Sequence, residues 1–367
     1  MLSEKDYNQM LNNAHKICES PNGTLYKINV GSKNLCLKVS DKKKGDYQND
    51  FDSAFIEEIV AMKNPGILTY FKAGVIEGLN YVVMELAGEN LDKTYDIFTK
   101  NKDLFFEMIE NYMLNVFNES NNKWLVHRDI KNPNIVFVDN KFKLCDLGSA
   151  LLINDFFDCS NEGATTSTFG NSLGSFFYDD KNHETKKNTH LASSPLIDLA
   201  YLCFCIDFDF DIQFWFCPEY IFNGFKLDPP EIFPIDSQKK QGYKMFAYVM
   251  IICIKKYYKS IFVDKNTVDL SRAKFKWITK GNIELEKNKV TIDFEKWHSK
   301  MADYSFDDEE YYQELTYDNT SDGYRLLIFK LLLLLRGYSF SYVNKFTWVQ
   351  VEDIKNSSDI DNFLENN

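Results

Sequence analysis

The residues best suited to chemistry lie in one stretch, His127-Arg128-Asp129-Ile130-Lys131-Asn132-Pro133-Asn134, with Asp146-Leu147-Gly148 beginning twelve residues after Asn134. Transfer of a phosphoryl group from ATP needs a carboxylate beside the attacking hydroxyl, oxygen ligands for Mg²⁺ and a cation on the phosphates. Positioning and charge stabilisation then supply most of the rate. Asp129 is the candidate base that orients a hydroxyl and takes its proton. Asn134 offers an amide oxygen and Asp146 a carboxylate, hard ligands of the kind Mg²⁺ accepts. Lys131, two residues after Asp129, could stabilise negative charge developing on the phosphoryl group. Lys38 could hold the α- and β-phosphates, and a carboxylate 19 or 20 residues later, Glu57 or Glu58, could pair with it.

These groups need elements to hold them. Thr24–Val30 and Asn34–Val39 read as two strands around Gly31-Ser32-Lys33, with Lys38 near the end of the second. Apolar Phe55, Ile56, Ile59, Val60 and Met62 recur at helical spacing over Asp52–Lys63, and Asn64-Pro65-Gly66 stops them. Leu68–Val75 and Asn80–Leu86 are again strand-like, so the first 86 residues read β-β-α-β-β with room for one strand before them. Asp103–Phe117 reads as a helix. Asn134–Val138 and Lys141–Cys145 form a second hairpin about Asp139-Asn140, which folds Asn134 and Asp146 back towards each other. Residues 154–192 read as a long loop, apolar helices are expected at Leu196–Ile206, Met245–Tyr257 and Leu326–Leu335, and the polar tail beyond Asn356 is expected to fray.

In this order the segments resemble a eukaryotic-type protein kinase. His127–Asn134 matches the family's H-R-D-L-K-x-x-N loop, Asp146-Leu147-Gly148 its D-F-G and Leu35-Cys36-Leu37-Lys38 its V-A-I-K. Tyr81-Val82-Val83-Met84-Glu85-Leu86-Ala87-Gly88 resembles its gatekeeper and hinge, which puts Met84 at the gatekeeper and the backbone of Glu85 and Ala87 against adenine. Ile56, Ile59 and Met62 fit the family's register around Glu58 as the partner of Lys38, and Glu57 stays open. Lys131 is similar to the lysine of Ser/Thr kinases, and Asp198-Leu-Ala-Tyr-Leu-Cys203 resembles the D-x-W-S-x-G that starts the central helix of the large lobe.

The resemblance implies an α+β, bilobal kinase-like fold: a small antiparallel β-sheet lobe over 1–86 and a mainly helical lobe over 87–367, with an activation segment at about 146–192 and a divergent C-terminal extension. It implies ATP and Mg²⁺ as cofactors and phosphorylation of protein substrates on Ser or Thr, with room for a regulatory partner. Thr165, Thr166, Ser167 and Thr168 could be phosphorylated and meet Arg128.

Departures are equally specific. The glycine-rich loop G-x-G-x-x-G aligns with Cys18-Glu-Ser-Pro-Asn-Gly23, leaving Gly23 as its one glycine. The A-P-E look-alikes, Cys217-Pro-Glu219 and Pro229-Pro-Glu231, follow Asp146 by about 70 to 85 residues. Atypical Ser/Thr kinases of large DNA viruses show similar erosion. Two other readings remain beside the protein kinase: a pseudokinase scaffold that binds a partner protein, and a small-molecule kinase on the same fold.

Composition excludes several classes. A net charge of −12 over 367 residues repels a phosphate backbone or an anionic bilayer, so neither nucleic acid nor membrane is an expected partner. The eight cysteines never form C-x-x-C, which fits a reducing cytoplasm better than a disulfide framework or zinc ribbon. No apolar leader opens the chain. The run Leu326–Leu335 contains Lys330 and falls short of the roughly 20 residues that cross a bilayer, so it reads as a buried helix.

Overall fold

Gly31, at φ 62°, reverses the chain between two long strands. The computed structural model describes residues 14–20, 23–40, 51–76, 78–158, 193–207, 267–269, 291–293 and 315–366, with single helical positions between 242 and 256. Its elements begin β1 (His15–Ser20), β2 (Gly23–Val30), β3 (Lys33–Ser40), α1 (Ser53–Met62), β4 (Tyr70–Ile76) and β5 (Leu79–Glu85). There follow α2 (Tyr95–Lys100), α3 (Lys102–Met113), β6 (Phe117–Asn118), β7 (Lys123–Val126), β8 (Ile135–Val138), β9 (Lys141–Leu144) and β10 (Leu151–Ile153). The last are α4 (Pro195–Asp207), β11 (Thr267–Asp269), β12 (Thr291–Asp293), α5 (Ser321–Leu335), α6 (Phe340–Val343), α7 (Trp348–Val351) and α8 (Ser357–Glu365). The fold class is α+β. Among the described residues no helix is long and apolar enough to cross a membrane.

Two units emerge from the contacts. The first joins Met1–Asn121, Asn132–Leu151 and Lys355–Asn367, and the second joins Asn122–Lys131 with Leu152–Ile354. The first unit thus runs on past residue 86 and takes in the β8–β9 hairpin and the end of the chain.

In the first unit, an antiparallel sheet has the order β1-β2-β3-β5-β4. Alternation sorts its side chains: Ile28, Leu37, Tyr81 and Val83 form a buried cluster on one face, which leaves Cys36, Lys38, Val82 and Met84 on the other. The helix α1 starts where the Asp52 carboxylate accepts from the N–H groups of Ala54 and Phe55, and it stops at Lys63 in the left-handed region (φ 53°). Gly66 follows because a Cβ there would lie 2.4 Å from the Tyr112 nitrogen on α3. The β8–β9 hairpin closes on Asp139 and Asn140, both at positive φ (48° and 60°), as a two-residue turn between right-twisted strands requires. Leu144 donates to Gly66 O and accepts from Leu68 N, both at 2.8 Å, which ties β9 to the segment after α1.

In the second unit, α5 is the buried helix expected from the leucine run. Lys330 inside it is 1% exposed and donates to the Thr316 carbonyl at 2.7 Å and hydroxyl at 3.0 Å. Burial holds that ammonium below the ordinary lysine range. Trp124 packs edge-on against Phe156, which stacks on Tyr324 of α5 at 4.3 Å. The helix expected at Met245–Tyr257 is seen at its described positions, which include Met245, Tyr248, Val249, Ile252, Cys253 and Lys256.

Two expectations fail. The helix expected over Asp103–Phe117 ends at Met113, and Phe117 opens β6. The tail beyond Asn356 does not fray: Asn356 and Asp359 form a reciprocal capping box, and α8 docks on α3 through polar groups. Ser357 Oγ donates to the Glu110 carboxylate at 2.5 Å, Ser357 N to Asn111 Oδ1 at 3.0 Å, and Asn115 Nδ2 to Lys355 O at 2.6 Å. Glu110 is 1% exposed, so the bond to Ser357 helps answer a carboxylate that water barely reaches. Replacing Asn356 with Ala should cost α8 about 1 kcal/mol. Backbone hydrogen exchange at Ile360 and its neighbours should then speed up several-fold while α3 is unchanged; unchanged exchange in α8 would refute the cap's role.

Candidate active site

Lys38 reaches out from β3, where it pairs in register with Val82 of β5 and Leu25 of β2. Its Nζ lies 3.3 Å from Asp146 Oδ1, joining residues 108 apart in the chain, and the lysine is 7% exposed. Asp146 follows β9 in the left-handed region (φ 63°) and keeps 34% of its side chain exposed, open to a further partner. Glu58 lies on α1 and its carboxylate accepts from Asn121 Nδ2. Met84 faces Cys36 across β3 and β5, and burial pushes the Cys36 thiol up to about 12, an inert neutral group.

Gly23 has a local reason to be glycine. It sits at φ 136°, and a Cβ there would lie 2.6 Å from the Val39 carbonyl oxygen. Ser20, the last residue of β1, pairs with Gly23, the first of β2.

The β8–β9 hairpin sets the other two groups. Ile135 pairs with Leu144, and Cys145 N donates to Asn134 O at 2.9 Å, which puts Asn134 beside the residue that precedes Asp146. An amide oxygen and a half-open carboxylate make a donor set that suits a hard divalent cation. After β5 the chain is pinned to the same hairpin: Gly88 N donates to Phe137 O, Phe137 N to Glu89 O and Leu91 N to Ile135 O. A Cβ at 88 would lie 2.5 Å from that Phe137 oxygen, which explains the glycine after Ala87.

Glu85 gives its N–H to Thr69 O at 2.8 Å, while Lys143 Nζ grips both of its carboxylate oxygens at 3.0 and 2.8 Å. Burial would raise this carboxyl, but the Lys143 ammonium and the Thr69 N–H outweigh it and hold it below the ordinary Glu value of 4.5. Sequence pattern gives no sign of Lys143: alternation puts it on the side of exposed Lys141, opposite buried Phe142 and Leu144, and its role emerges only where Glu85 is set beside it.

In the second unit, residues 127–131 are set by one carboxylate. Asp198, in the first turn of α4 and 0% exposed, accepts from His127 N at 2.6 Å and Arg128 N at 3.1 Å. Arg128 itself takes a positive φ of 66°, so the chain turns directly after the two donors. His127 is fully buried and its Nδ1 accepts from Asp129 N at 3.3 Å, a packing role. Asp129 is 5% exposed, and Lys131 Nζ meets its Oδ2 at 2.9 Å.

Thr165–Thr168, most of the expected activation segment and both A-P-E look-alikes lie outside the described residues. Among the described residues no cluster of three or more His, Cys, Asp or Glu side chains could hold a metal ion. The pair Asn134 and Asp146, with its amide, is a different kind of donor set.

Replacing Asp198 with Ala strands two buried N–H groups and should lower the unfolding free energy by about 3 kcal/mol. Asp198→Asn, which keeps one acceptor oxygen, should lose less; equal losses in urea titrations would refute this account. For Glu85 the sign follows from its depressed value. Its stabilisation is complete above the unfolded carboxyl's 4.5 and is lost as pH falls through the lower folded value. Lys143→Met should therefore flatten the acid side of the stability curve between about pH 5 and 3. The chain matches no protein-family model, and a search of characterised proteins returns no match.

Proposed function

We propose that this chain is an ATP-dependent protein kinase of the Ser/Thr type, with the bilobal kinase-like fold. The observation that carries the reading is the Lys38–Asp146 pair, 3.3 Å across 108 residues, with Asn134 held beside Cys145 by the hairpin. A strand lysine and a post-hairpin carboxylate meet where phosphates and a cation would each find an opposite charge.

On this reading Lys38 binds the α- and β-phosphates, and Glu58 is its second carboxylate partner on α1. Asn134 and Asp146 would hold Mg²⁺, which when bound supplies positive charge to the phosphate oxygens. Asp129 accepts the proton of the attacking Ser or Thr hydroxyl, and Lys131 meets the negative charge that develops on the transferred group. The backbone at Glu85 and Ala87 receives adenine beside Met84, and Gly23 lies on the nucleotide side of the β1–β2 turn. Asp198 fixes the backbone from which Asp129 and Lys131 project. The oxygen of the acceptor hydroxyl forms a bond to the γ-phosphorus, the bond from that phosphorus to the bridging oxygen breaks, and ADP leaves.

The test is transfer of labelled phosphate from Mg·ATP to the chain itself and to generic protein substrates. Phosphoserine or phosphothreonine should form with the parent, and Asp129→Asn and Asp146→Asn should each reduce it by about a hundredfold or more. An inert parent that still binds ATP would overturn the protein-kinase reading in favour of a scaffold or a small-molecule kinase.

A further inference from the structure

Phe51 is absent from the motifs that suggest a kinase, yet it touches the lysine on which that suggestion turns. Its ring lies one residue ahead of Asp52, the cap that fixes the start of α1, and its side chain is 6% exposed. The Lys38 Nζ is 5.3 Å from the ring centroid. An aromatic face attracts a cation at such distances through its quadrupole, and the attraction strengthens as water is removed.

Water is largely removed here. Lys38 is 7% exposed, and an ammonium is a compact, strongly hydrated charge that is costly to bury. Asp146 returns part of the lost hydration, but its carboxylate is the group that a divalent cation would compete for. The Phe51 face carries no charge and cannot be drawn away by a metal ion, so its attraction for the ammonium persists whatever Asp146 binds.

We propose that Phe51 is a positioning residue for Lys38: its ring face keeps the ammonium aimed from the sheet face that carries Cys36, Val82 and Met84. The consequence for nucleotide binding rests on the phosphotransferase reading; the hold on the ammonium does not. The role also suits the β1–β2 turn, whose Cys18–Asn22 stretch lacks the glycines that would bring backbone N–H groups close to a phosphate. With less backbone cradle, more of the phosphate's binding falls on the lysine.

A ring's electronics can be changed with little change of shape. Placing 4-fluorophenylalanine, then 3,4,5-trifluorophenylalanine, at position 51 of the full chain drains the negative face in steps. Two quantities are read: the NMR shift of the Lys38 ε-methylene in lysine-labelled protein, assigned with Lys38→Arg, and the Kd for Mg·ATP by calorimetry. A methylene held over an aromatic face is shifted by the ring current, and with each added fluorine the Lys38 signal should move toward those of exposed lysines as its hold on the ring weakens. Mg·ATP should bind about three- to thirtyfold more weakly across the series. Phe51→Leu, which keeps apolar bulk without a quadrupole, should resemble the trifluoro protein. An ε-methylene signal that stays put across the fluorinated series overturns the proposal, since a merely space-filling ring would behave that way. A signal that moves in a chain that binds no Mg·ATP upholds the hold of Phe51 on Lys38 and sinks the phosphotransferase reading, so the two failures separate.

Discussion

A carboxylate at zero exposure has to be met by donors, and the way Asp198 is met shapes the chain around it. Its two oxygens take the N–H groups of consecutive residues, His127 and Arg128, from 71 and 70 positions away. Just past the second of these N–H groups the chain turns, with Arg128 at φ 66°, a left-handed backbone that a residue other than glycine adopts only at a cost. A buried ion with charge-assisted hydrogen bonds is strong enough to hold a residue there. The kink in turn sets where Asp129 and Lys131 leave the backbone. Position 129 is therefore specified less by its neighbours in sequence than by a helix dozens of residues downstream.

The first unit solves a similar problem with paired side chains. Lys38 meets Asp146, and Glu85 meets Lys143, each pair linking the β1–β5 sheet to the β9 strand or the residues just after it. Both pairs are partly buried, so each partner would be costly to leave alone. They differ in openness. Lys143 and Glu85 are exposed by only 16% and 18%, and Glu85 also accepts from Thr69 N, which suits a fixed clamp. Asp146 retains about twice that exposure, which suits a group that changes partners.

What the sequence showed and what it hid divides along the range of the interactions. Strands β2 to β5, helix α1 with its Asp52 start and Asn64-Pro65-Gly66 stop, and the Asp139-Asn140 turn are written in local pattern, and each formed within a residue or two of expectation. Local pattern also located Lys38, Asn134 and Asp146 on their elements. The tail was different: its docking partner is α3, 247 residues away from Ser357 at Glu110. Local signs of α8 were present, the capping box Asn356-Ser-Ser-Asp359 and the helical spacing of Ile360, Phe363 and Leu364 with Ile360 fully buried, but they sit in a short and mostly polar stretch whose composition alone reads as loose. Lys143 and Phe51 were hidden by range: each is ordinary until a distant charge is placed beside it.

The state seen here is internally neutral at each cation that matters, and this bears on how a nucleotide would enter. Lys38 has Asp146, and Lys131 has Asp129. A buried charge left unpaired while waiting for ligand would cost several kcal/mol per ion, so pairing cation with anion lowers the cost of holding both sets ready. On the proposed reading, an arriving polyphosphate offers Lys38 a new anion at the moment Asp146 is freed for a cation, so neither group passes through an unpaired buried state. The exchange asks for no new backbone: Lys38 is already fixed by the sheet register, Asn134 and Asp146 by the hairpin, and groups held ready in this way leave the ligand little to reorganise.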